Sequence, residues 1–331
     1  MNRYFLILQF MGILYSSHAQ TIQLLNTGTK ASFRGLSVVN DHVIWVSGSN
    51  GTVGKSSDGG NTWQWKTIKG YEKTDFRDIE AFDDKKAIIM GIESPSVLLK
   101  TIDGGETWKV VFIDSSKGMF LDAMDFKNKK NGIVIGDPIN GRIFLCKGSF
   151  NDNSWKIIDS FERPLFDSGE ACFASSGTNI RLLGKNKYLF ISGGKSSHLY
   201  YRGKKIYIPI IQGTESTGGN SIAVKNKKHF IIVGGDFMDK ENSSNNIAIT
   251  TDGGITWKKP IRPPKGYRSS IEYIQNGIWV TCGLTGVDIS FHDGNDFSNI
   301  SNIGFHVCRK AKKGKAVFFA GGGGRIGKLT E

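Results

Sequence analysis

One short motif is repeated along the chain, as SSDGGNTW at Ser56–Trp63, TIDGGETW at Thr101–Trp108 and TTDGGITW at Thr250–Trp257. Weaker copies are SFHDGNDF at Ser290–Phe297 and NDNSW at Asn151–Trp155. Each strong copy lies between two apolar stretches. The paired glycines allow the positive φ of a tight turn, and the Asp carboxylate can accept hydrogen bonds from backbone N–H groups. The Trp then offers a large apolar ring to a packing face. The motif therefore predicts a β-hairpin.

A second repeat has the same period. An apolar strand ending in glycine recurs seven times, at Gly48, Gly91, Gly136, Gly194, Gly235, Gly283 and Gly322. Another short strand precedes each one: GLSVV, DIEAF, DAMDF, ACFAS, SIAVK, SIEYI and HVCRK. With the hairpin motif, the unit reads strand, turn, strand, glycine loop, strand, turn, strand. Four short strands repeated in this way are typical of a propeller blade.

The seventh unit contains only three strands, HVCRK, AVFFA and RIGKL. The segment TIQLL at Thr21–Leu25 precedes the first blade and can supply the missing strand. Pairing the two would remove two open sheet edges at once. We therefore predict an all-β, seven-bladed β-propeller with four-stranded antiparallel blades, closed by the N-terminal strand, as a single domain over residues 20–331.

Residues 1–19 have the pattern of a signal peptide. Arg3 precedes an apolar run from Tyr4 to Tyr15, and Ser17 and Ala19 stand at small-residue spacing before Gln20. The run is shorter than the ~20 residues that a membrane span needs, which disfavours the alternative of a membrane anchor. We expect a periplasmic or secreted protein.

The chain is basic, with 43 Lys and Arg against 30 Asp and Glu, a formal net charge of +13. Lysines concentrate in the turns between the first and second strands of five blades, as in DDKK, KNKKN, KNKY, KNKKH and RKAKKGK. These turns could contact an anionic surface, or they could simply maintain solubility. Nucleic acid is not an expected partner, because stacking aromatics are not interleaved with the basic residues.

No metal or cofactor is predicted. Cys146, Cys172, Cys282 and Cys308 show no CxxC spacing, and a Cys282–Cys308 disulfide stays open. The GGGGR stretch at residues 321–325 has no helix after it and is not a dinucleotide fingerprint. A calcium loop needs several carboxylates, and each turn motif has one, or two with Glu106. We expect structural roles for the motif residues, with the tryptophans largely buried: Asp58, Trp63, Asp103, Trp108, Asp252 and Trp257.

The candidate binding site is a ring of polar residues at equivalent positions, where the inner strands begin. They are Arg34, Arg77, Asp78, Asp122, Glu170, Asn220, Arg268 and His306, and the glycine loops add Asp137, Asp236 and Arg325. Seven inner strands surround one axis, so these side chains should meet at the mouth of the central channel. They could bind an anionic group, since Arg holds carboxylate or phosphate through two parallel hydrogen bonds. A charged His306 would make such binding weaken as pH rises. The alternative is an ion-pair network that joins the blades.

The three strong motif copies resemble the BNR or Asp-box repeat of sialidases, sortilin-type receptors and other propellers. The mature chain, from ASFRGLSVV at Ala31 through DFRDIEAF, GDPINGR, GGDF and GYRSS to GRIGKL, resembles the photosystem II assembly and stability factor family. It is more similar still to exported relatives of that family in non-photosynthetic bacteria. The resemblance implies a non-catalytic binding or assembly scaffold whose partner is a protein or a glycan, which can be anionic.

The alternative function is a sialidase-like exo-glycosidase acting on anionic glycans. Arg34, Arg77 and Arg268 could form the required Arg triad, with Glu170 as the glutamate and Asp78 or Asp122 as the acid. Against this, FRGL at Phe33–Leu36 replaces the sialidase FRIP motif, no Tyr is clearly placed beside Glu170, and sialidases have six blades. We therefore assign no catalytic residue.

Overall fold

The computed structural model describes residues 20–330 and shows seven β-sheets arranged around one axis. The predicted seven-bladed β-propeller is confirmed, whereas the predicted signal peptide lies outside the described residues. The only helical element among residues 20–330 is a 3-10 turn, Ser160–Glu162, and no helix there is long and apolar enough to cross a membrane.

The first three blades follow the predicted unit. β1 is Thr21–Leu25. Blade 1 contains β2 (Phe33–Val38), β3 (Ile44–Gly48), β4 (Thr52–Ser56) and β5 (Gln64–Thr67). Blade 2 contains β6 (Phe76–Ala81), β7 (Ala87–Gly91), β8 (Ser96–Thr101) and β9 (Lys109–Asp114). Blade 3 contains β10 (Leu121–Asn128), β11 (Asn131–Ile139), β12 (Arg142–Gly148) and β13 (Trp155–Ile157).

The later blades vary this unit. β14 (Glu170–Ala171) and β17 (Gly193–Gly194) form a short ladder that connects to blade 5. Blade 4 contains β15 (Ile180–Gly184), β16 (Lys187–Ile191), β18 (His198–Tyr201) and β19 (Lys204–Tyr207). Blade 5 contains β20 (Thr217–Val224), β21 (Phe230–Asp236) and β22 (Ile247–Thr250), and its outer position is a single bridge between Ile249 and Lys258. Blade 6 contains β23 (Ser270–Gln275), β24 (Ile278–Gly283), β25 (Gly286–Ser290) and β26 (Ser298–Ser301). Blade 7 contains β27 (Val307–Lys310), β28 (Val317–Ala320) and β29 (Ile326–Thr330).

The ring is closed by β1, as predicted. β1 pairs antiparallel with β29, from Thr21 opposite Thr330 to Leu25 opposite Ile326, so blade 7 has the order β1-β29-β28-β27. Beyond this ladder, the Thr27 hydroxyl donates to the Gly324 carbonyl at 2.7 Å. The last blade is therefore built from segments near both ends of the described chain.

The prediction for the inner strand of blade 4 is wrong. ACFAS contributes only Ala171 to a strand, and the inner strand is β15. Ile180 pairs with Phe190 of β16, and Ile180 and Leu182 enter the core between blades 3 and 4. The Cys172 N–H instead donates to Asp137 of blade 3 at 3.3 Å. Both segments contain apolar residues at strand spacing, and packing selects the one that can pair along its whole length with β16.

Small polar side chains join neighbouring inner strands. Ser37 accepts a hydrogen bond from the Ala81 N–H at 2.9 Å, Asp78 from the Met124 N–H at 2.8 Å and Ser221 from the Ile271 N–H at 3.0 Å. The same arrangement joins Asp125 to the Leu182 N–H and Ser270 to the Cys308 N–H. These bonds satisfy buried backbone donors at the blade boundaries, where no sheet ladder can reach them.

Inner strands begin on one face of the disc, here called the upper face, and end on the lower face. The lower face carries the turn motifs, whose hydrogen bonds repeat at Asp58, Asp103 and Asp252. The Asp58 carboxylate accepts the Thr62 N–H at 2.9 Å, the Thr62 hydroxyl at 2.6 Å and the Ser56 hydroxyl at 2.8 Å. These bonds lower the pKa of Asp58 and Asp252 to about 2 and also lower the pKa of Asp103. Each carboxylate is therefore occupied in holding its own turn.

The tryptophans of these turns are partly buried between neighbouring blades, where the sequence predicts them to be largely buried. Trp63, Trp108 and Trp257 pack against the cores between blades 7 and 1, 1 and 2, and 4 and 5, respectively.

Replacing Asp58, Asp103 or Asp252 by Asn should destabilise the protein near neutral pH, and the effect should fade in acid. A carboxylate with a folded pKa below its unfolded value of about 4 stabilises the fold above that value and loses this contribution as pH falls towards the folded pKa. Urea unfolding from about pH 5 down to about pH 2 should show the wild-type advantage shrinking. Asp84→Asn is the control, since that exposed carboxylate accepts no hydrogen bond among the described residues. A difference in the free energy of unfolding between wild type and variant that stays constant with pH would contradict this role of the turn carboxylates.

Candidate functional site

A cavity of about 350 Å³ opens where the inner strands begin on the upper face. Its walls include the aromatic and aliphatic side chains of Phe120, Phe173, Phe237 and Leu284. Its polar lining contains Arg34, Arg77, Asn220, Tyr267, Ser269 and His306. The structure thus places four residues of the predicted ring around one opening: Arg34, Arg77, Asn220 and His306.

Arg34 is the central cation of this cavity. Its guanidinium donates to the Ser175 carbonyl at 3.3 Å and has no carboxylate within 4 Å among residues 20–330. Burial and then the nearby Arg77 lower the pKa of Arg34. Arg34 is half-buried, and a partly desolvated cation without a counter-ion is unfavourable, so this position favours an anion.

Arg77 is partly neutralised by a residue that the sequence analysis did not select. Its Nε donates to Asp75 at 2.8 Å. The other oxygen of Asp75 is buried and has no hydrogen-bond partner among the described residues. Two arginines and one carboxylate leave the cavity with a net positive charge, to which Arg325 adds from its exposed position near His306.

His306 does not supply a charge near neutral pH. Its Nδ1 lies 2.9 Å from the Phe33 carbonyl oxygen, which can only accept, so Nδ1 carries the proton. Burial, followed by Arg34, lowers the pKa of His306 to about 4. The pH dependence expected for a charged His306 is therefore confined to acid, because the surrounding arginines oppose protonation.

The polar wall opposite the arginines is a fixed network. The hydroxyls of Tyr267 and Ser175 both donate to the Asn220 amide oxygen, at 2.8 and 3.0 Å. Burial raises the pKa of Tyr267, which keeps its hydroxyl a neutral donor. This network orients the Asn220 amide and leaves the arginines as the charged groups of the cavity.

Three predicted carboxylates lie behind the cavity wall. Asp78 accepts the N–H groups of Ile79 and Met124, both at 2.8 Å, and burial raises its pKa to about 7 despite the nearby Arg309. Asp122 is fully buried, and burial together with Asp137 raises its pKa well above the usual range. Burial also raises the pKa of Asp137. Asp78 therefore has a structural role between blades 2 and 3.

Arg268 and Asp236 also lie outside the cavity lining. Arg268 is fully buried and forms an ion pair with Asp288 of β25, with Nε 2.6 Å from the carboxylate. Its Nη1 donates to the Tyr267 carbonyl at 2.9 Å and to the Thr285 hydroxyl at 2.8 Å. The Asp236 carboxylate accepts the Met238 N–H at 2.9 Å within its own loop. The backbone pairing of Arg268 corresponds to that of Phe33 and Phe305, so the cavity-lining position of blade 6 is Ser269 and not the predicted Arg268.

Ion pairs do cross the channel, but nearer the lower face and through other residues. Lys312 lies 2.7 Å from Glu80, and Arg181 lies 4.0 Å from Glu272. The pairs connect blade 7 to blade 2 and blade 4 to blade 6. Ion pairing across the channel is therefore formed by residues outside the predicted ring.

Glu170 faces blade 4 and not the channel, because it is the first residue of β14, which is not an inner strand. Its carboxylate lies 2.8 Å from the Tyr200 hydroxyl, 3.1 Å from His198 Nδ1 and 3.0 Å from Lys205 Nζ. Burial opposes its ionisation, but these hydrogen bonds outweigh burial and lower the pKa of Glu170 to about 2. A tyrosine does therefore lie beside Glu170, contrary to the sequence-based expectation. Burial and Glu170 raise the pKa of Tyr200, the opposite of activation for nucleophilic attack.

Asp167, Glu170 and His198 are close enough to one another to hold a metal ion. Lys205 Nζ lies 2.7 Å from Asp167 and 3.0 Å from Glu170, so an ammonium group already supplies the cation between the two carboxylates.

Cys282 and Cys308 are neighbouring buried thiols, and burial raises the pKa of Cys282 well above its usual range.

The search of family models and the search of curated proteins found no match. Solved structures match over nearly the whole chain. YCF48 bound to D1 peptide is 14% identical with a TM-score of 0.65, covering 96% of this chain and 98% of that one. YCF48 from Cyanidioschyzon merolae is also 14% identical with a TM-score of 0.65, covering 93% and 98%. RRP9 WD40 repeats have 11% identity and a TM-score of 0.67, covering 94% and 98%.

What these proteins share with this chain is the propeller. The YCF48 neighbours have the fold that the sequence resemblance implies. At these identities the likeness extends to the fold and not to individual site residues.

Proposed function

We propose that this chain is an exported, non-catalytic scaffold that binds an anionic group of a partner in the upper cavity. Arg34 supports this most directly: a cation in a largely apolar cavity, with no carboxylate within 4 Å among the described residues. A ligand carboxylate or phosphate would supply the missing counter-charge through charge-assisted hydrogen bonds.

A peptide is the partner class that we favour. The cavity combines two arginines with three phenylalanines, so it suits a carboxylate next to an apolar side chain. One structural neighbour, YCF48, is described as bound to a D1 peptide, and the shared propeller supports a scaffold resembling an assembly factor. A glycan carrying carboxylates is the second source of the same chemistry.

The glycosidase alternative loses its proposed constellation. Arg268 is used by Asp288, Glu170 and Tyr200 face blade 4, and Asp78 is held by two backbone N–H groups. Hydrolysis of fluorogenic sialosides or uronides by the purified protein would overturn the non-catalytic proposal.

Replacing Arg34 by Gln should weaken binding to peptides displayed with free C-terminal carboxylates by at least about tenfold, with little loss of thermal stability, because the peptide carboxylate would lose its partner cation. Binding is measured by fluorescence anisotropy against the tightest peptides of an array. Lys30→Gln, an exposed substitution with the same charge change, is the control. Equal affinity of the Arg34 variant and the wild type, or binding that survives amidation of the peptide carboxylate and the loss of every acidic side chain, would contradict the proposal.

A further inference from the structure

A large groove lies on the rim between blades 3 and 4 and is separate from the upper cavity. It has a volume of about 850 Å³, within the range of about 300–1,000 Å³ of ligand pockets. We infer that this groove binds an acidic peptide segment of a partner protein that also carries an apolar side chain.

The groove exists because blade 3 is short at its outer edge. β13 has three residues, and the chain then crosses to blade 4 through the 3-10 turn Ser160–Glu162. The following residues return to β12, where the Ile143 N–H donates to the Pro164 carbonyl at 3.2 Å and the Phe166 N–H to the Gly141 carbonyl at 2.9 Å. The crossing segment forms one wall, and the strands and turns of blade 4 form the other.

The charge of the groove is strongly one-sided. Six of its cationic side chains have no carboxylate within 4 Å among the described residues: Arg142, Arg163, Lys187, Arg202, Lys204 and Lys227. Lys205 is paired with Asp167 and Glu170, and Glu162 is the single acidic residue of the lining. Unneutralised cations converging on one concave surface attract an anionic partner.

The walls also present apolar surface. Phe161 is 90% exposed and Leu165 is 56% exposed, both on the crossing segment. On the other wall, Tyr188 is half-buried and stacks on Phe190, with ring centroids 6.4 Å apart. Phe190 stacks in turn on Tyr200, with ring centroids 4.5 Å apart. Scattered exposed apolar residues are ordinary, but here they flank six unpaired cations in one groove.

This combination favours a peptide over a glycan. Apart from Glu162 and Asn186, the polar side chains that line the groove are mainly donors, whereas sugar hydroxyls need donors and acceptors together. Phe190 and Tyr200 are buried, so their ring faces are closed to a sugar. A segment with several carboxylates and one apolar side chain satisfies both the lysines and the exposed Phe161 and Leu165.

The test is selection from a phage-displayed random-peptide library on immobilised protein. We expect the wild type to enrich peptides that combine Asp or Glu with an apolar residue. The triple variant Lys187→Glu, Lys204→Glu, Lys227→Glu should lose at least about tenfold in affinity for them. All three side chains are exposed, so the fold should be retained. The matched control is Lys85→Glu, Lys127→Glu, Lys130→Glu, which makes the same charge change at exposed turns of blades 2 and 3.

Phe161→Ala separates the apolar contribution to binding from the contribution of charge. It should lower the affinity for the same peptides without changing the melting temperature of the protein. Arg34→Gln should not change peptide binding in the rim groove. This variant therefore distinguishes a failure of the groove proposal from a failure of the upper-cavity proposal. Equal losses in the groove and control triples would overturn the inference in favour of general basic charge. Enrichment without acidic peptides would also overturn it, as would groove-dependent binding of polygalacturonate without binding of any peptide.

Discussion

Removing residues 20–26, so that the protein starts at residue 27, should open the propeller and drive aggregation in comparison with residues 20–331. β1 supplies the outer strand of blade 7, and its Ile22 and Leu25 side chains pack on the neighbouring cores. The two half-buried aliphatic side chains and the five-residue ladder together contribute at least about 3 kcal/mol to the free energy of unfolding. Without them the β29 edge is free to pair with another chain. Thermal unfolding should shift down by roughly 5–10 °C, with light scattering rising at the transition.

The matched experiment supplies the missing strand as a peptide. A synthetic peptide of residues 20–30 should bind the truncated protein and restore much of its melting temperature, since edge strands accept extended peptides by main-chain pairing. A scrambled peptide that moves the aliphatic residues away from positions 22 and 25 should not. A truncated protein that melts and stays monomeric like the full chain would contradict closure by β1.

Replacing Arg268 by Ala should cost on the order of 3–5 kcal/mol, because it leaves the Asp288 carboxylate buried without a partner. Arg268 is fully buried, and Asp288 is 2% exposed. Three contacts hold the guanidinium in place: Nη1 donates to the Tyr267 carbonyl and to the Thr285 hydroxyl, and Nε donates to the Asp288 carboxylate. Lys should not rescue the variant, since it lacks the planar fork. Urea denaturation at neutral pH measures the loss.

The control for this prediction removes both charges. Arg268→Met with Asp288→Leu should recover much of the stability lost by Arg268→Met alone, because an apolar pair needs no desolvation of ions. Arg268→Met alone should leave peptide binding at the upper cavity unchanged under conditions in which the variant is folded. A single variant with wild-type stability would show that Asp288 finds another partner.

Spacing in the sequence predicted most of the fold. Seven apolar strands ending in glycine specified the blade number, and a three-strand last unit with a spare TIQLL segment specified closure. Both are local patterns with a period set by one blade, so they can be read without tertiary information. The failure occurred in blade 4, where the insertion between β13 and β15 offered two candidate inner strands. Which of them pairs with β16 depends on packing between blades 3 and 4.

The sequence predicted the candidate site only in part. Positional equivalence brought Arg34, Arg77 and His306 to one cavity, because inner strands converge on the axis. It did not indicate that Asp75 would pair with Arg77, or that Phe120 and Phe173 would form walls. A residue two positions before Arg77 is visible in sequence as a possible ion-pair partner. Loop aromatics that meet across blades give no periodic signal.

The sequence by itself determined the strand order, the turn chemistry and the closing strand, since each follows from local periodicity and backbone preference. Tertiary structure alone decided the direction of each ring residue. Arg34 faces an apolar cavity without a carboxylate, whereas Arg268 stands one residue before the equivalent position of blade 6, which is Ser269, and is neutralised by Asp288 from β25. The rim groove was likewise decided by tertiary structure, because its cations come from three blades and are brought together only by the curvature of the ring. Charges separated along the chain become one site only when packing fixes their distances.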